Sequence, residues 1–277
     1  MSHIGPVSYL ILAAASFLAG GINAVAGGGT ILTFPTLLAC GITPVVANAT
    51  NTIALVPASL AGAYSFRKEL PNLSRTIKLF ALPSIIGGFV GAKLMLLGGD
   101  HLLSMLVPWL ILAASTLFLL QEPISRLAAK RAQQKTAATH SEQSKGTNPE
   151  DAHLQNVPAV IIFMFLVAVY GGYFGAGIGI LTLAALGFLG MTNIHQMNGV
   201  KNILTASINL VATITFIMAG RIDGLIALLM SCGTILGALS SAGVALKLGQ
   251  RRVRQLIIII GFGITALMFY RQAHGGL

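Results

Sequence analysis

Residues 20–66 of the chain read GGINAVAGGGTILTFPTLLACGITPVVANATNTIALVPASLAGAYSF, and a related stretch, YGGYFGAGIGILTLAALGFLGMTNIHQMNGVKNILTASINLVATITF, follows at residues 170–216. In both copies a glycine-rich segment precedes Ile-Leu-Thr, a Gly-x-Thr tripeptide and an asparagine-containing segment, in the same order. Both copies lie in strongly apolar surroundings. Apolar chains built from two corresponding halves that open with glycine-broken segments are typical of secondary transporters.

The composition of the whole chain is that of an integral membrane protein. Only 9% of its 277 residues are charged, and its mean hydropathy is +0.83, whereas soluble domains carry roughly 25% charged residues. Several apolar segments reach the roughly 20 residues that a helix needs to cross the hydrocarbon core, while segments 28–40 and 178–192 are too short to cross comfortably. Because nothing in the chain alternates like a barrel strand, we predict an all-α polytopic membrane protein.

The apolar segments divide the chain into three regions. We predict a first membrane repeat over residues 1–120, a polar cytoplasmic linker over 121–156 and a second membrane repeat over 157–277. Each repeat has about five helical segments, of which the short glycine-broken one lies near the midplane of the membrane. An odd number of segments in each repeat inverts the second copy relative to the first, so we predict two repeats of inverted topology.

The positions of lysine and arginine support the same topology. Residues 67–78 and 247–254 each contain four Lys or Arg residues, whereas residues 98–101 contain none and residues 221–223 contain one. Cytoplasmic loops of membrane proteins are enriched in Lys and Arg. We therefore predict that 67–78 and 247–254 are cytoplasmic like the linker, that 98–101 and 221–223 are outside, and that both chain termini are outside.

The distribution of charge also excludes several classes of function. The net charge is +10, but Lys and Arg lie in loops rather than on one basic face, so we expect no nucleic-acid partner. All seven acidic residues lie in predicted loops, which argues against a cation site built from side-chain carboxylates. No nucleophile–base pair and no metal-ligand spacing is present in the sequence. We therefore expect neither an enzyme nor a metal or cofactor site.

The glycine breaks, and the polar residues that follow them, suit an anion. A helix that restarts after a break exposes N–H groups and the positive end of its dipole, and these bind oxyanions without a full charge. The substrate-binding residues predicted in the first copy are Asn23, Gly28, Gly29, Thr30, Asn48, Asn51 and Thr52. Those predicted in the second copy are Gly175, Gly177, Gly179, Asn198, Lys201 and Asn202. Lys201 is the one formal charge in the paired motifs, and the nearby His195 is a candidate for proton coupling.

Each of these residues also has an alternative interpretation. The glycines could serve only close helix packing, and Lys201 could extend its ammonium group to the cytoplasmic interface. His195 could simply lie in a loop, and the asparagines could cap helices or link them. The occurrence of polar residues at corresponding positions in both copies favours a binding site.

The motifs at residues 20–29 (GGINAVAGGG) with Pro35, at 48–52 (NATNT), at 171–179 (GGYFGAGIG) and at 198–202 (NGVKN) resemble those of the sulfite exporter TauE/SafE family of bacterial membrane permeases. The resemblance implies an inner-membrane carrier for a small sulfur-containing anion such as sulfite, sulfoacetate or thiosulfate, working without ATP. A runner-up is an uptake permease or channel for another small anion, and a scaffold without transport is a more distant alternative. The expected partners are the anion and the lipid bilayer, and homo-oligomerisation is left open.

Overall fold

The computed structural model describes residues 5–70, 73–142, 157–191, 193–248 and 250–273. In these ranges the chain forms nine α-helices, namely α1 Pro6–Ala26, α2 Thr30–Ala39, α3 Pro44–Ser65, α4 Ser74–Glu142, α5 Val157–Tyr173, α6 Ile178–Phe188, α7 Ile194–Met218, α8 Gly224–Leu248 and α9 Gln250–Ala273. A 3-10 turn, Arg67–Glu69, follows α3. Gly99 has non-helical angles (φ 63°, ψ −170°) and divides α4 into α4a (74–98) and α4b (100–142).

Among the residues that the structure describes, four helical regions are long and apolar enough to cross a membrane: Pro6–Ala24, Pro44–Ser65, Ser74–Pro123 and Ile194–Met218. At a rise of about 1.5 Å per residue, a helix of 22 residues such as α3 is about 33 Å long, which matches the roughly 30 Å of the hydrocarbon core. The described residues contain no strand. The prediction of an all-α membrane protein is therefore confirmed.

The two short helices, α2 and α6, have 10 and 11 residues. Their lengths of roughly 15–17 Å correspond to about half of the hydrocarbon core. Most of their side chains are buried among the longer helices. Non-helical backbone at membrane depth is tolerated when it is enclosed by protein in this way, so the breaks on either side of α2 and α6 are shielded by the rest of the bundle.

The first helix of each half packs tightly against the fourth helical segment of the other half. Helix α1 lies along α8, where a Cβ atom on Gly20 would be 2.1 Å from the carbonyl oxygen of Thr234. Helix α5 lies along α4a, where a Cβ atom on Gly172 would be 2.1 Å from the carbonyl oxygen of Gly88. Only glycine permits backbones to approach this closely. The two interfaces correspond to each other in the repeats and interlock the halves.

Helices α3 and α7 run antiparallel along each other. Near the end of α3, Gly62 contacts the side chain of Asn202, which lies early in α7. Beyond the end of α7, the backbone N–H of Asp223 donates a 3.1 Å hydrogen bond to the hydroxyl of Thr50, early in α3. The loops that follow α3 and α7 therefore lie at opposite ends of this helix pair. This agrees with the opposite sides predicted from charge, although the inverted topology itself stays a prediction.

The loop between α4a and α4b lies at the same end of the bundle as the start of α3. The carboxylate of Asp100 accepts a 2.9 Å hydrogen bond from the backbone N–H of Val45, an N–H group that has no intrahelical partner. Helix α4b continues to Glu142, so the first part of the predicted linker is helical. Residues 143–156 and both chain ends lie outside the described residues, and the predicted orientation of the termini stays a prediction.

Candidate substrate site

The two glycine breaks touch each other inside the bundle. Gly27 and Gly175 have positive φ angles of 75° and 80°, a left-handed conformation that favours glycine. The backbone N–H of Gly27 donates to the carbonyls of Ile22 and Asn23, which caps the end of α1. A Cβ atom on Gly27 would lie 2.5 Å from the Cα atom of Gly179, at the start of α6. The breaks thus form one contact region between the two halves.

The helices that restart after the breaks have N-termini without a side-chain cap. Gly29 is the N-cap residue of α2 and Gly177 that of α6, and neither helix receives a side-chain hydrogen bond at this position. Helix α4b lies against both breaks, since a Cβ atom on Gly28 would be 1.9 Å from the ring of Phe118, and one on Gly177 would be 3.6 Å from Leu117. These N-termini are therefore positive ends of helix dipoles enclosed by the bundle.

Lys201 lies where α1, α3 and α7 meet. Its side chain is fully buried, with an exposed fraction of 0%, and its ammonium group donates a 3.4 Å hydrogen bond to the carbonyl oxygen of Ala24, near the end of α1. Lys201 therefore points into the protein and does not extend to the interface. The side-chain amide of the neighbouring Asn23 donates a 3.1 Å hydrogen bond to the hydroxyl of Ser59 on α3.

We call this three-helix contact the lysine junction. Its members are Asn23, Ala24, Ser59, Gly62, Lys201 and Asn202. Asn202 joins it from α7, because a Cβ atom on Gly62 would lie 2.6 Å from the amide nitrogen of Asn202. The junction connects the polar motif of the second half with the end of the helix that precedes the break in the first half.

Two side-chain amides at the start of α7 have buried atoms without a hydrogen-bond partner. Both the oxygen and the nitrogen of the Asn202 amide are in this state, and so is the amide oxygen of Asn198. A buried polar group that makes no hydrogen bond costs about 1–3 kcal/mol, and most such groups in proteins are satisfied. Asn198, Lys201 and Asn202 are spaced three and four residues apart, which places them on one face of the helix. The unpaired amide atoms of Asn198 and Asn202 could bond to a polar ligand that reaches this face.

The corresponding residues of the first copy are engaged in bonds within the protein. The amide of Asn51 accepts a hydrogen bond from the hydroxyl of Thr33 and donates one of 3.2 Å to the hydroxyl of Thr30. The hydroxyl of Thr52 donates to the carbonyl oxygen of Asn48 in its own helix. These bonds attach the start of α2 to α3. The two copies therefore differ, since the charge and most of the unpaired amide atoms belong to the second.

Asn48 makes a contact in the other half that resembles the contact between Lys201 and the Ala24 carbonyl. Its amide nitrogen donates a 2.9 Å hydrogen bond to the carbonyl oxygen of Tyr173, the last residue of α5, while its amide oxygen is buried without a partner. Asn48 of the first half thus reaches the helix end before the second break, and Lys201 of the second half reaches the helix end before the first. The hydroxyl of Tyr170 also supports the second break by donating a 2.7 Å hydrogen bond to the carbonyl oxygen of Ala176.

His195 is not brought together with these residues. It is exposed at the start of α7, where its backbone N–H donates a 2.9 Å hydrogen bond to the side chain of Asn193, the N-cap residue. Its ring lies 6.1 Å from the ring of Phe66. The predicted glycines lie in the breaks or at the starts of α2 and α6, whereas the other predicted residues lie near the end of α1, at the start of α2 and early in α3 and α7. A role of His195 in proton coupling stays a prediction without a contact to the lysine junction.

The acidic residues whose contacts the structure describes lie away from Lys201. Asp100 accepts its hydrogen bond at the start of α3, and the carboxylate of Asp223 accepts a 3.2 Å hydrogen bond from the backbone N–H of Ile226 at the start of α8. Among the described residues, the ammonium of Lys201 has no carboxylate partner. A buried charge in a protein is normally paired, so an anion would complete this site.

Ser59 and the carbonyl oxygen of Ala24 belong to the junction but were not predicted from the sequence. One signal for Ser59 is present in the repeat, because with the register that pairs Asn48 with Asn198 it corresponds to Asn209, another buried polar residue. Following the comparison of the two copies further along α3 and α7 would have revealed it. The carbonyl oxygen of Ala24 is a backbone atom, so no side chain in the sequence indicates its role.

Comparison with known proteins places these features in a family context. A family model described as Sulfite exporter TauE/SafE matches residues 12–268. The probable membrane transporter protein YfcA of Escherichia coli (strain K12) is 26% identical over 275 residues, which cover 98% of this chain and 93% of that protein. A probable membrane transporter protein of Haemophilus influenzae is 28% identical over 264 residues, covering 95% and 94% of the two chains. No solved structure matches the chain significantly.

Proposed function

We propose that this chain, which belongs to the sulfite exporter TauE/SafE family, is a carrier for a small sulfur-containing anion such as sulfite, sulfoacetate or thiosulfate. Members of this family are membrane transporters rather than enzymes, and both curated relatives described above are named as probable membrane transporters. We place the carrier in the bacterial inner membrane. The observation that carries the proposal is the buried ammonium of Lys201, which has no carboxylate partner among the described residues.

The lysine junction has the chemistry that an oxyanion requires. Transferring an unpaired charge from water into an apolar interior is unfavourable by several kcal/mol even after the protein relaxes. A bound anion offsets this cost because it supplies the missing counter-charge. The amide nitrogen of Asn202 can donate to an anion oxygen, and the uncapped starts of α2 and α6 add the positive ends of two helix dipoles.

Burial of the polar motifs favours a carrier over a channel. Lys201, Asn51 and Asn202 have exposed fractions of 0%, 1% and 1%. A channel in a conducting state lines a continuous water path with its polar groups, whereas a carrier passes through an occluded state. The enclosed arrangement of these side chains is the one expected of a carrier between its outward-open and inward-open forms.

Alternating access would use the correspondence between the halves. We propose two inverted repeats related by a pseudo-two-fold axis, which is supported by the antiparallel packing of α3 and α7 and by the matching glycine contacts at Gly20 and Gly172. The contact from Asn48 to Tyr173 and the contact from Lys201 to Ala24 would then close opposite sides of the site. Breaking one contact while keeping the other would open one side at a time.

Sulfite flux into proteoliposomes tests this function. We expect saturable uptake with counterflow in the wild type. We expect Lys201→Gln to raise the half-saturating sulfite concentration at least about tenfold, because a hydrogen bond to a charged group contributes about 1.5–3 kcal/mol. Lys93→Gln is the matched control, since Lys93 is exposed on α4a. Wild-type affinity in Lys201→Gln would move the site elsewhere. Flux without saturation or counterflow would indicate a channel, and no flux with any sulfur anion would overturn the proposal.

A further inference from the structure

We infer that the lysine junction selects anions that carry a single negative charge, so that sulfite is bound as hydrogensulfite and dianions such as sulfate are disfavoured. The inference deepens the proposed function and rests on the same site. Two independent features of the described residues support it: the number of buried cations, and the balance of unpaired donors and acceptors.

Lys201 is the one buried cation among the Lys and Arg side chains that the structure describes. The others are exposed: Arg67, Lys68, Arg75, Lys78, Lys93, Arg221 and Arg271. Arg67, for example, lies over the ring of Tyr64 and donates to the carbonyl oxygen of that residue. The junction therefore offers one full positive charge and, beyond it, only dipoles.

The number of buried cations determines which charge on an anion the site can balance. A monoanion beside the ammonium of Lys201 forms a neutral pair, and such pairs are tolerated in a low-dielectric interior. A dianion leaves one uncompensated negative charge there, and an uncompensated buried charge is strongly unfavourable. The helix dipoles of α2 and α6 reduce this cost, but each contributes only about half of an elementary charge at its end. A single negative charge is thus the best match.

The unpaired amide atoms lead to the same result. Among the amide atoms of Asn198 and Asn202 that are buried without a partner, on the face of α7 that carries Lys201, two are acceptors, the amide oxygens of Asn198 and Asn202, and one is a donor, the amide nitrogen of Asn202. Fully deprotonated sulfite and sulfate have only acceptor oxygens, so they leave both amide oxygens unsatisfied. Hydrogensulfite has one proton to donate as well as oxygens to accept. A protonated oxyanion therefore satisfies more of the site than a dianion does.

Titration of the protein must be separated from titration of the ligand. The elements that contact α7 or Lys201 carry titratable side chains. Outside α4 these are Tyr9 on α1, Tyr64 on α3, Arg67, Lys68 and Glu69 in the 3-10 turn, and Tyr170 and Tyr173 on α5. On α4 they are Arg75, Lys78, Lys93, Asp100, His101, Glu122 and the titratable residues that follow Glu122. His195 lies on α7 itself. The structure gives Lys201 no hydrogen bond or ion pair with any described side chain of this set. A ligand whose charge does not change with pH controls for all of them.

The experiment measures the affinity of the purified full-length protein for three anions at pH 6 and pH 8, by isothermal titration calorimetry or ligand-dependent thermal stability. Methanesulfonate is a monoanion at both values and sulfate is a dianion at both, while sulfite changes from mainly hydrogensulfite to mainly the dianion. We expect methanesulfonate to bind at least about tenfold more tightly than sulfate. We also expect the ratio of sulfite affinity to methanesulfonate affinity to be several-fold higher at pH 6 than at pH 8, since this ratio cancels any change in the charge of the protein.

Sulfate binding as tightly as methanesulfonate, or a ratio of sulfite affinity to methanesulfonate affinity that is independent of pH, would overturn the inference while leaving an anion carrier in place. Absence of binding by all three anions would instead count against the proposed function. The wild-type series requires no substitution, so it remains decisive if a variant fails to fold. Where Lys201→Gln does fold, we expect its affinity for methanesulfonate to fall towards that for sulfate, whereas Lys93→Gln keeps the wild-type difference.

Discussion

The ammonium of Lys201 lies 3.4 Å from the carbonyl oxygen of Ala24, and this contact joins residues 177 positions apart in the chain. It brings the polar motif of the second half to the end of the helix before the break in the first half. Because the ammonium has only this carbonyl as a partner among the described residues, the contact holds Lys201 in place without neutralising it.

Replacing Lys201 by methionine should separate stability from binding. Lys201→Met keeps a long side chain and removes a buried charge, and substitution of buried ionic groups by apolar ones is often neutral or stabilising by about 1–4 kcal/mol. We expect the Tm of the anion-free protein to be unchanged or higher, and the increase in Tm caused by sulfite to disappear. Thermal unfolding with and without sulfite measures both. A large loss of anion-free stability would show that Lys201 has a structural role instead, and Lys93→Met serves as the control.

Asn51 and Asn202 should behave differently although they belong to corresponding motifs. Asn51→Ala removes the bonds to Thr30 and Thr33 and leaves buried partners unsatisfied, so we expect a loss of about 1–3 kcal/mol in the free energy of unfolding. Asn202→Ala removes atoms that have no partner, so stability should change little while anion affinity falls. Denaturation curves together with ligand titrations of the two variants measure this. Equal effects of both variants on stability would contradict the difference described between the two copies.

Gly20 and Gly172 should tolerate no side chain. A Cβ atom at either position would overlap a backbone oxygen of the neighbouring helix, so Gly20→Ala and Gly172→Ala should each destabilise the protein by about 1–3 kcal/mol or more. Gly263 in α9 has open space at the Cβ position, and Gly263→Ala should be neutral or slightly stabilising. Thermal unfolding of the three variants compares them directly. A Gly20→Ala protein as stable as Gly263→Ala would contradict the close contact of α1 and α8.

Residues 68 and 222 should lie on opposite sides of the membrane. They are at opposite ends of the α3–α7 pair, and the charges of the surrounding loops predict that Lys68 is cytoplasmic and Ile222 outside. Single cysteines at these positions, in a background that lacks Cys40 and Cys232, should show opposite accessibility to a membrane-impermeant maleimide in intact cells. Labelling of both positions from the same side would rule out the inverted-repeat topology.

The parts of the site that could be predicted are those whose signals are local in the sequence. Glycines at 27–29 and 175–179 interrupt apolar runs, and each interruption predicts a helix end whatever the rest of the chain does. The short lengths of α2 and α6 follow from the distance between a glycine break and the next turn. The polar residues on α3 and α7 could be identified because corresponding positions in the two copies carry them.

The pairing of those polar residues could not be predicted in the same way. In one copy Asn51 is satisfied by Thr30 and Thr33, whereas in the other Asn202 lies against Gly62 without a partner. The sequence shows two similar motifs, and nothing in either reveals which one is already hydrogen-bonded. His195 likewise adjoins the second motif in sequence but lies exposed at the start of its helix.

The sequence by itself determined the class of the protein, its helices, its two halves and the residues of the polar motifs, because hydrophobicity, glycine and the repeat act over short distances along the chain. Only the tertiary structure decided that α1, α3 and α7 meet at Lys201, that Ser59 and the Ala24 carbonyl join it, and that no carboxylate among the described residues neutralises it. The reason is physical: the cost of a buried charge depends on every group around it, and those groups come from segments that only folding brings together.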